Sequence, residues 1–258
     1  MARALATGFA RADLTDGANI GVFDPIAQAS EQFINAVSGA VVESSNRAVV
    51  DGADVIFLAI KPQSFSAVAK QLAGAPTEGK LFISILAGLP LQTLCGALGT
   101  DRVVRVMPNT PCLIGRGASG YAMGSGVTDE DGQLVEQLLS CVGVALRLDE
   151  PHLDAVTGLS GSGPAYVFTM IEALSDGGVR MGLPRAAATT LAAHTVLGAA
   201  QMVSEMDVHP AVLRDRVTSP GGTTIAGLQV LEQQGLRAAL LDAVQAATER
   251  SRELGRSS

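Results

Sequence analysis

The 258 residues predict an α/β domain around a parallel sheet, followed by an all-helical domain. Three observations predict it. Up to residue 148, short apolar runs alternate with amphipathic stretches, as in successive βαβ units. After Pro151 the strand-like runs stop and helical spacing takes over. The composition, 47% hydrophobic against 17% charged, supplies ample material for packed interiors. The boundary falls near residue 149 and divides the chain into 1–149 and 150–258.

In the first part the candidate strands are Ile20 to Phe23, Val55 to Ile60, Leu81 to Leu86, Val103 to Met107 and Val144 to Leu148. Between them Ile26 to Val37, Phe65 to Leu72, Leu91 to Leu98 and Glu130 to Cys141 have helical spacing, with Asp and Pro marking several starts. From Ala165 to Arg252 the chain reads as consecutive helices. Gly182-Leu183-Pro184, His209-Pro210 and Ser219-Pro220-Gly221-Gly222 punctuate them. Gly255 to Ser258 are expected to fray. The stretch Ala186 to Met202 is rich in Ala, Leu and Val on more than one face, so it predicts an intermolecular helical interface. Aromatic residues are 3% with no Trp, while Ala and Gly abound, which predicts close helix packing through small side chains.

Charge and cysteine usage exclude several classes of function. The formal net charge is -7, and no Lys and Arg cluster suits a phosphate backbone, so nucleic acid is not expected as a partner. No apolar run reaches the roughly 18 residues that span a bilayer, and the first residues do not read as a secretory leader; a cytoplasmic protein is expected. Cys95, Cys112 and Cys141 are odd in number, far apart and set among apolar neighbours, so reduced buried thiols are expected and no metal site.

The chemistry gathers at strand ends and at one helix start. VIFLAIKPQ is an apolar strand ending in Lys61-Pro62, and ligands of open parallel sheets collect beyond such carboxyl ends, here at Ala59, Ile60 and Lys61. Pro62 keeps Lys61 out of helical geometry. FISILAG ends in Ala87-Gly88, small enough for a flat ring or a pyrophosphate to approach the backbone. RVMPNTP ends a third strand, and its prolines stiffen a loop holding Asn109 and Thr110. In the second part, LSGSGPAYVF starts a helix at Pro164. RVTSPGGTTIAGLQVLE is the most informative segment. Ser219-Pro220-Gly221-Gly222 forms a turn that opens a helix, so free N–H groups near Gly222, Thr223 and Thr224 converge with three hydroxyls on a point suited to a carboxylate. A plain cap needs one hydroxyl.

RVTSPGGTTIAGLQVLE is similar to the signature of pyrroline-5-carboxylate reductases. AIKP, ISILAG, VRVMPNTP, SGSGPAYVF and GLRAALLDAVQAATERSREL follow in that family's order and spacing, so the resemblance covers nearly the whole chain. It implies a Rossmann-like domain followed by a helical dimerisation domain that interlocks with a second subunit, commonly within a decamer. It also implies reduction of 1-pyrroline-5-carboxylate to L-proline with NADPH or NADH. By that resemblance Asn46, Ala59 to Pro62, Ala87 and Gly88 touch the cofactor. Ser219 and the backbone from Gly221 to Thr224 hold the substrate carboxylate, with the Thr224 hydroxyl near the ring nitrogen. The residues suit that chemistry: a cyclic imine takes its proton from water, so orientation is the main task. Lys61, Lys70 and Lys80 are the only lysines, and the helical part offers none to serve a carbonyl as acid.

Two departures qualify the resemblance. The family opens with a strand and a G-x-G-x-x-[GA] loop, and Met1-Ala2 align with the last two positions of that fingerprint, which predicts about 15 to 20 further residues upstream. The first strand is then absent, and cofactor binding and the amino-terminal domain are expected to be weakened. Asp24, after the second strand, favours a ribose 2'-hydroxyl over a 2'-phosphate, which opens the choice between NADH and NADPH. The alternatives are a reductase of another cyclic imino acid and a catalytically silent, truncated subunit retained as an oligomer partner.

Overall fold

Each predicted strand is present in the computed structural model, which describes residues 1–256. The first unit runs from Met1 to Ser162 and takes in the chain again from Gln245; the second is Gly163–Val244.

In the first unit the order is α1 (Ala2–Arg11), β1 (Gly21–Val22), α2 (Ala27–Ala36), β2 (Val41–Val42), α3 (Asn46–Gly52), β3 (Val55–Leu58) and α4 (Phe65–Gln71). Then follow β4 (Leu81–Ser84), α5 (Leu91–Leu98), β5 (Val103–Met107), β6 (Gly117–Met123), α6 (Asp129–Ser140), β7 (Gly143–Arg147) and the short α7 (Leu153–Val156). The strands make two sheets, a parallel pair β1–β2 and a five-stranded sheet in the order β3-β4-β5-β6-β7. Every pairing is parallel except β5 with β6. That antiparallel pair corrects the reading of an all-parallel succession. The connection between them, residues 108–116, is too short for the dozen or more residues of a crossover, so the chain must turn back.

Both faces of β4 and β5 are covered, which suits their largely apolar sequences. Leu81 and Ile83 of β4, with Val104 and Val106 of β5, pack on one face against Leu5 and Phe9 of α1 and Val135 and Leu139 of α6. Phe82 and Val103 point to the other face, against Leu94 and Leu98 of α5, Val50 of α3 and Leu153 of α7. Each such side chain contributes about 1.5–3 kcal/mol on burial. The strands end earlier than their apolar runs: Ile60, Leu86 and Leu148 lie outside β3, β4 and β7 because the chain leaves the sheet to make turns there.

In the second unit α8 (Gly163–Arg180), α9 (Arg185–Glu205), α10 (Pro210–Arg216) and α11 (Thr223–Gln233) break at the predicted punctuation. Small residues set the α8–α9 contact: a Cβ on Gly178 would lie 3.1 Å from Ala188 Cβ, and Ser175 Oγ hydrogen-bonds Thr189 Oγ1 at 2.8 Å. The last helix, α12 (Leu236–Arg256), includes Gly255; Ser257 and Ser258 lie outside the described residues.

Candidate active site

Registers Leu58↔Ser84 and Ser84↔Arg105 set the carboxyl ends of β3, β4 and β5 side by side along one sheet edge. Beyond β3 the chain passes Ala59 and Ile60, both half-buried, to the exposed Lys61. Pro62 opens a 3₁₀ turn and keeps Lys61 extended at φ -76°, ψ 143°. Beyond β4, Ala87-Gly88 is a turn in which Gly88 is left-handed at φ 78°, a conformation that favours glycine. Beyond β5, Asn109 is buried with its amide engaged at both ends: Oδ1 accepts from Ala118 N at 2.9 Å and Nδ2 donates to the Ser160 carbonyl at 3.1 Å. Its side chain therefore ties the loop after β5 to β6 and to the π turn at Thr157–Gly161.

Asp24 and Asn46 sit beside the two-stranded sheet. Asp24 follows β1, and its Oδ1 accepts the Ile26 N–H at 2.9 Å, which fixes the carboxylate at the entrance to α2. Asn46 begins α3, whose N-terminus is capped by Ser45 Oγ accepting from Ala48 N at 3.1 Å. The Asn46 amide donates to Gln71 Oε1 at 2.7 Å.

A polar cluster beneath the β4 turn escaped the sequence reading. Arg105, in the middle of apolar β5, has a side chain only 7% exposed, 3.2 Å from Glu150 Oε1 and 3.5 Å from Asp154 Oδ1. Ser251 Oγ of α12 donates to Asp154 Oδ1 at 2.7 Å, and the Leu91 N–H donates to Glu150 Oε1 at 2.6 Å. An arginine inside a strand buried on both faces was the available signal, since such a charge is almost never buried without partners.

In the second unit the Ser-Pro-Gly-Gly segment forms the predicted turn. Gly222 N donates to Ser219 O at 3.1 Å, Gly221 is left-handed at φ 65°, and α11 starts at Thr223. The Pro-then-Gly order suits a type II turn, whose third residue requires positive φ. A Cβ on Gly222 would overlap Ser219 Oγ, so glycine is what admits that hydroxyl over the helix start. No side chain caps α11, so the amides of its first turn keep their capacity for an external acceptor. Ser219 and Thr223 are exposed and Thr224 is half-buried.

A dinucleotide needs small residues where it crosses the sheet edge and polar groups for its ribose; Ala59, Ala87 and Gly88 meet the first need, Asp24 and Asn46 the second. Residues 1–88 match a family model described as NADP oxidoreductase, coenzyme F420-dependent. Fold and sheet edge together define a nicotinamide-dependent oxidoreductase. Residues 150–254 match the model described as pyrroline-5-carboxylate reductase dimerisation. The chain is 51% identical to the pyrroline-5-carboxylate reductase of Arabidopsis thaliana over 219 residues, 85% of this chain and 79% of that protein. Against the same enzyme of Methanosarcina acetivorans it is 47% identical over 258 aligned residues, covering 99% and 95%. The solved Plasmodium falciparum pyrroline carboxylate reductase, with NADP bound, superposes with a TM-score of 0.88 at 34% identity, covering 98% and 93%. The chain belongs to the pyrroline-5-carboxylate reductase family, and its helical part is an oligomerisation domain.

Among the described residues no group of His, Cys, Asp and Glu is placed to hold a metal ion, and no helix is long and apolar enough to cross a membrane. Cys95, Cys112 and Cys141 are free thiols, and burial raises the pKa values of Cys95 and Cys141.

Proposed function

We propose that the chain reduces 1-pyrroline-5-carboxylate to L-proline with NADPH or NADH, in the cytoplasm, as a homo-oligomer whose unit is a dimer and whose larger assembly is a decamer. Residues 1–149 form the dinucleotide domain and 150–258 the substrate and dimerisation domain. The observation that carries this reading is the turn at Ser219–Gly222, which leads into an uncapped helix. Backbone N–H groups at a helix start, with the positive end of its dipole, hold a carboxylate without any cationic side chain. Ser219 Oγ, Gly221, Gly222 and the Thr223 and Thr224 amides hold the substrate carboxylate, and the Thr224 hydroxyl orients the ring nitrogen.

The nicotinamide, when bound, supplies the hydride. The chain's own tasks are binding and orientation. The imine nitrogen is protonated from water, so the residues stabilise and orient a cation already formed. At that edge Ala59, Ile60, Lys61, Pro62, Ala87 and Gly88 carry the nicotinamide side of the dinucleotide. Asn109 holds the adjoining loop, and Asp24 and Asn46 serve the adenosine side.

Thr224→Ala tests the assignment. Turnover should fall by about 10- to 1000-fold, the scale of one lost positioning contact, while cofactor affinity stays as it was. An unchanged kcat would remove Thr224 from the site. A panel of cyclic imino acids, assayed on the parent enzyme, identifies the preferred ring, and a higher kcat/KM for another ring would replace the substrate named here.

A further inference from the structure

The end of α12, from Gln245 on, packs within the first unit. There it meets the turn that follows β4. A Cβ on Gly255 would overlap the Gly88 carbonyl oxygen, and a Cβ on Gly88 would lie 3.3 Å from Leu254 Cβ and 3.4 Å from Gly255 N. Backbone lies directly on backbone. Three further contacts converge on the same turn. Ser251 donates to Asp154, Asp154 and Glu150 flank the buried Arg105, and Glu150 accepts from Leu91 N, two residues past Leu89. Gly88, Pro90, Arg105, Asp154, Ser251 and Gly255 line one small cavity between these groups.

The charges explain why α12 is needed. One buried guanidinium faces two half-buried carboxylates, and the Ser251 hydroxyl adds a donor to Asp154, the more distant of the two at 3.5 Å. Glu150 then ties that cluster to the first amide of α5, fixing where the turn ends. Gly255 fixes the turn from the side. Gly88 is free to take its left-handed φ of 78° but cannot shift toward the helix.

We propose that Ser251 and Gly255 are positioning residues for the cofactor: they hold the Ala87–Gly88 turn, and so the end of α12 sets nicotinamide affinity from a place that touches no ligand. This rests on the assignment of Ala87 and Gly88 to the cofactor edge made above. A small displacement of a preorganised group is enough to weaken binding.

The test compares the assembled parent enzyme with Ser251→Ala, Ser251→Thr and Gly255→Ala. NADH and NADPH are titrated by fluorescence without substrate, and KM for 1-pyrroline-5-carboxylate and kcat are measured at saturating cofactor. The cofactor Kd should rise about 3- to 10-fold in Ser251→Ala and at least as much in Gly255→Ala, the range of coupling through a contact network. KM for the imine and kcat at saturation should hold, and Ser251→Thr should recover the parent's Kd. Gly255→Ala adds volume where backbone meets backbone, so the Ser251 pair carries the test if that chain does not fold. Parent-like Kd values in the alanine variants would overturn the proposal. So would a loss of imine affinity equal to the loss of cofactor affinity, which marks a merely structural role. A Gly88→Ala chain whose cofactor Kd matched the parent's would overturn the cofactor-edge assignment itself, and the proposal with it.

Discussion

Asp24 is the side chain proposed to bear on the choice of cofactor. Its carboxylate follows β1 and is fixed by the Ile26 N–H, so its charge stays where a ribose edge is expected. Two like charges at ~4 Å repel by about 1 to 4 kcal/mol between bulk water and an effective dielectric of ~20. Asp24→Ser should therefore shift the ratio of Kd values toward NADPH by about tenfold, about 1.4 kcal/mol. A ratio that does not move would place Asp24 away from the 2'-position. Asp24, Lys61 and Ser219 were legible in the sequence because turn chemistry and strand ends announce them. Asn109 was legible as a loop residue only. That its amide is engaged by Ala118 and Ser160 depends on partners 9 and 51 residues away, which no local pattern encodes.

At the scale of elements, α6 is fastened by its first turn. Thr128 and Asp131 form a capping box, and Asp131 also takes a two-pronged bond from Arg102 at 2.8 and 2.6 Å. The Arg102 guanidinium holds the Asp131 carboxyl below its ordinary range, and the Thr128 N–H bond acts in the same direction. A carboxyl with a lowered folded pKa contributes stability above its unfolded pKa, about 3.9, and loses that contribution as the pH falls through the folded value. At neutral pH, Asp131→Asn should be less stable than the parent by about 1–3 kcal/mol. The gap should close as the pH falls below about 4. Thermal unfolding from pH 6 to pH 2.5 measures it, and a gap constant over that range would show that the Asp131 charge contributes nothing. The elements themselves divide by signal strength. β4 opens on the apolar run Leu81–Ile83 and was plain; β6, written GASGYAM, lacks the β-branched residues that mark strands, and α3 is a seven-residue helix too short for periodicity to show.

At the scale of the molecule, the helical unit presents more apolar surface than it covers by itself. Only Ala188 and Ala192 of the 21-residue α9 are buried, while Leu191, Leu197, Met202 and Val203 are exposed, as are Phe168 of α8 and Val230 of α11. Such faces close on partner subunits. Sedimentation at micromolar concentration should give a dimer or a larger assembly, and an active monomer would refute the dimer as the working unit. The sequence by itself determined the class of fold, the strand tips proposed as the cofactor edge and the turn at Ser219–Gly222, because periodicity, proline and glycine act within a few residues. Tertiary structure alone decided the antiparallel return of β6, the partners of Asn109 and the seat of α12 on Gly88. Each of those rests on contacts between distant segments, where close packing and the need to partner buried polar groups, rather than local propensity, select the arrangement.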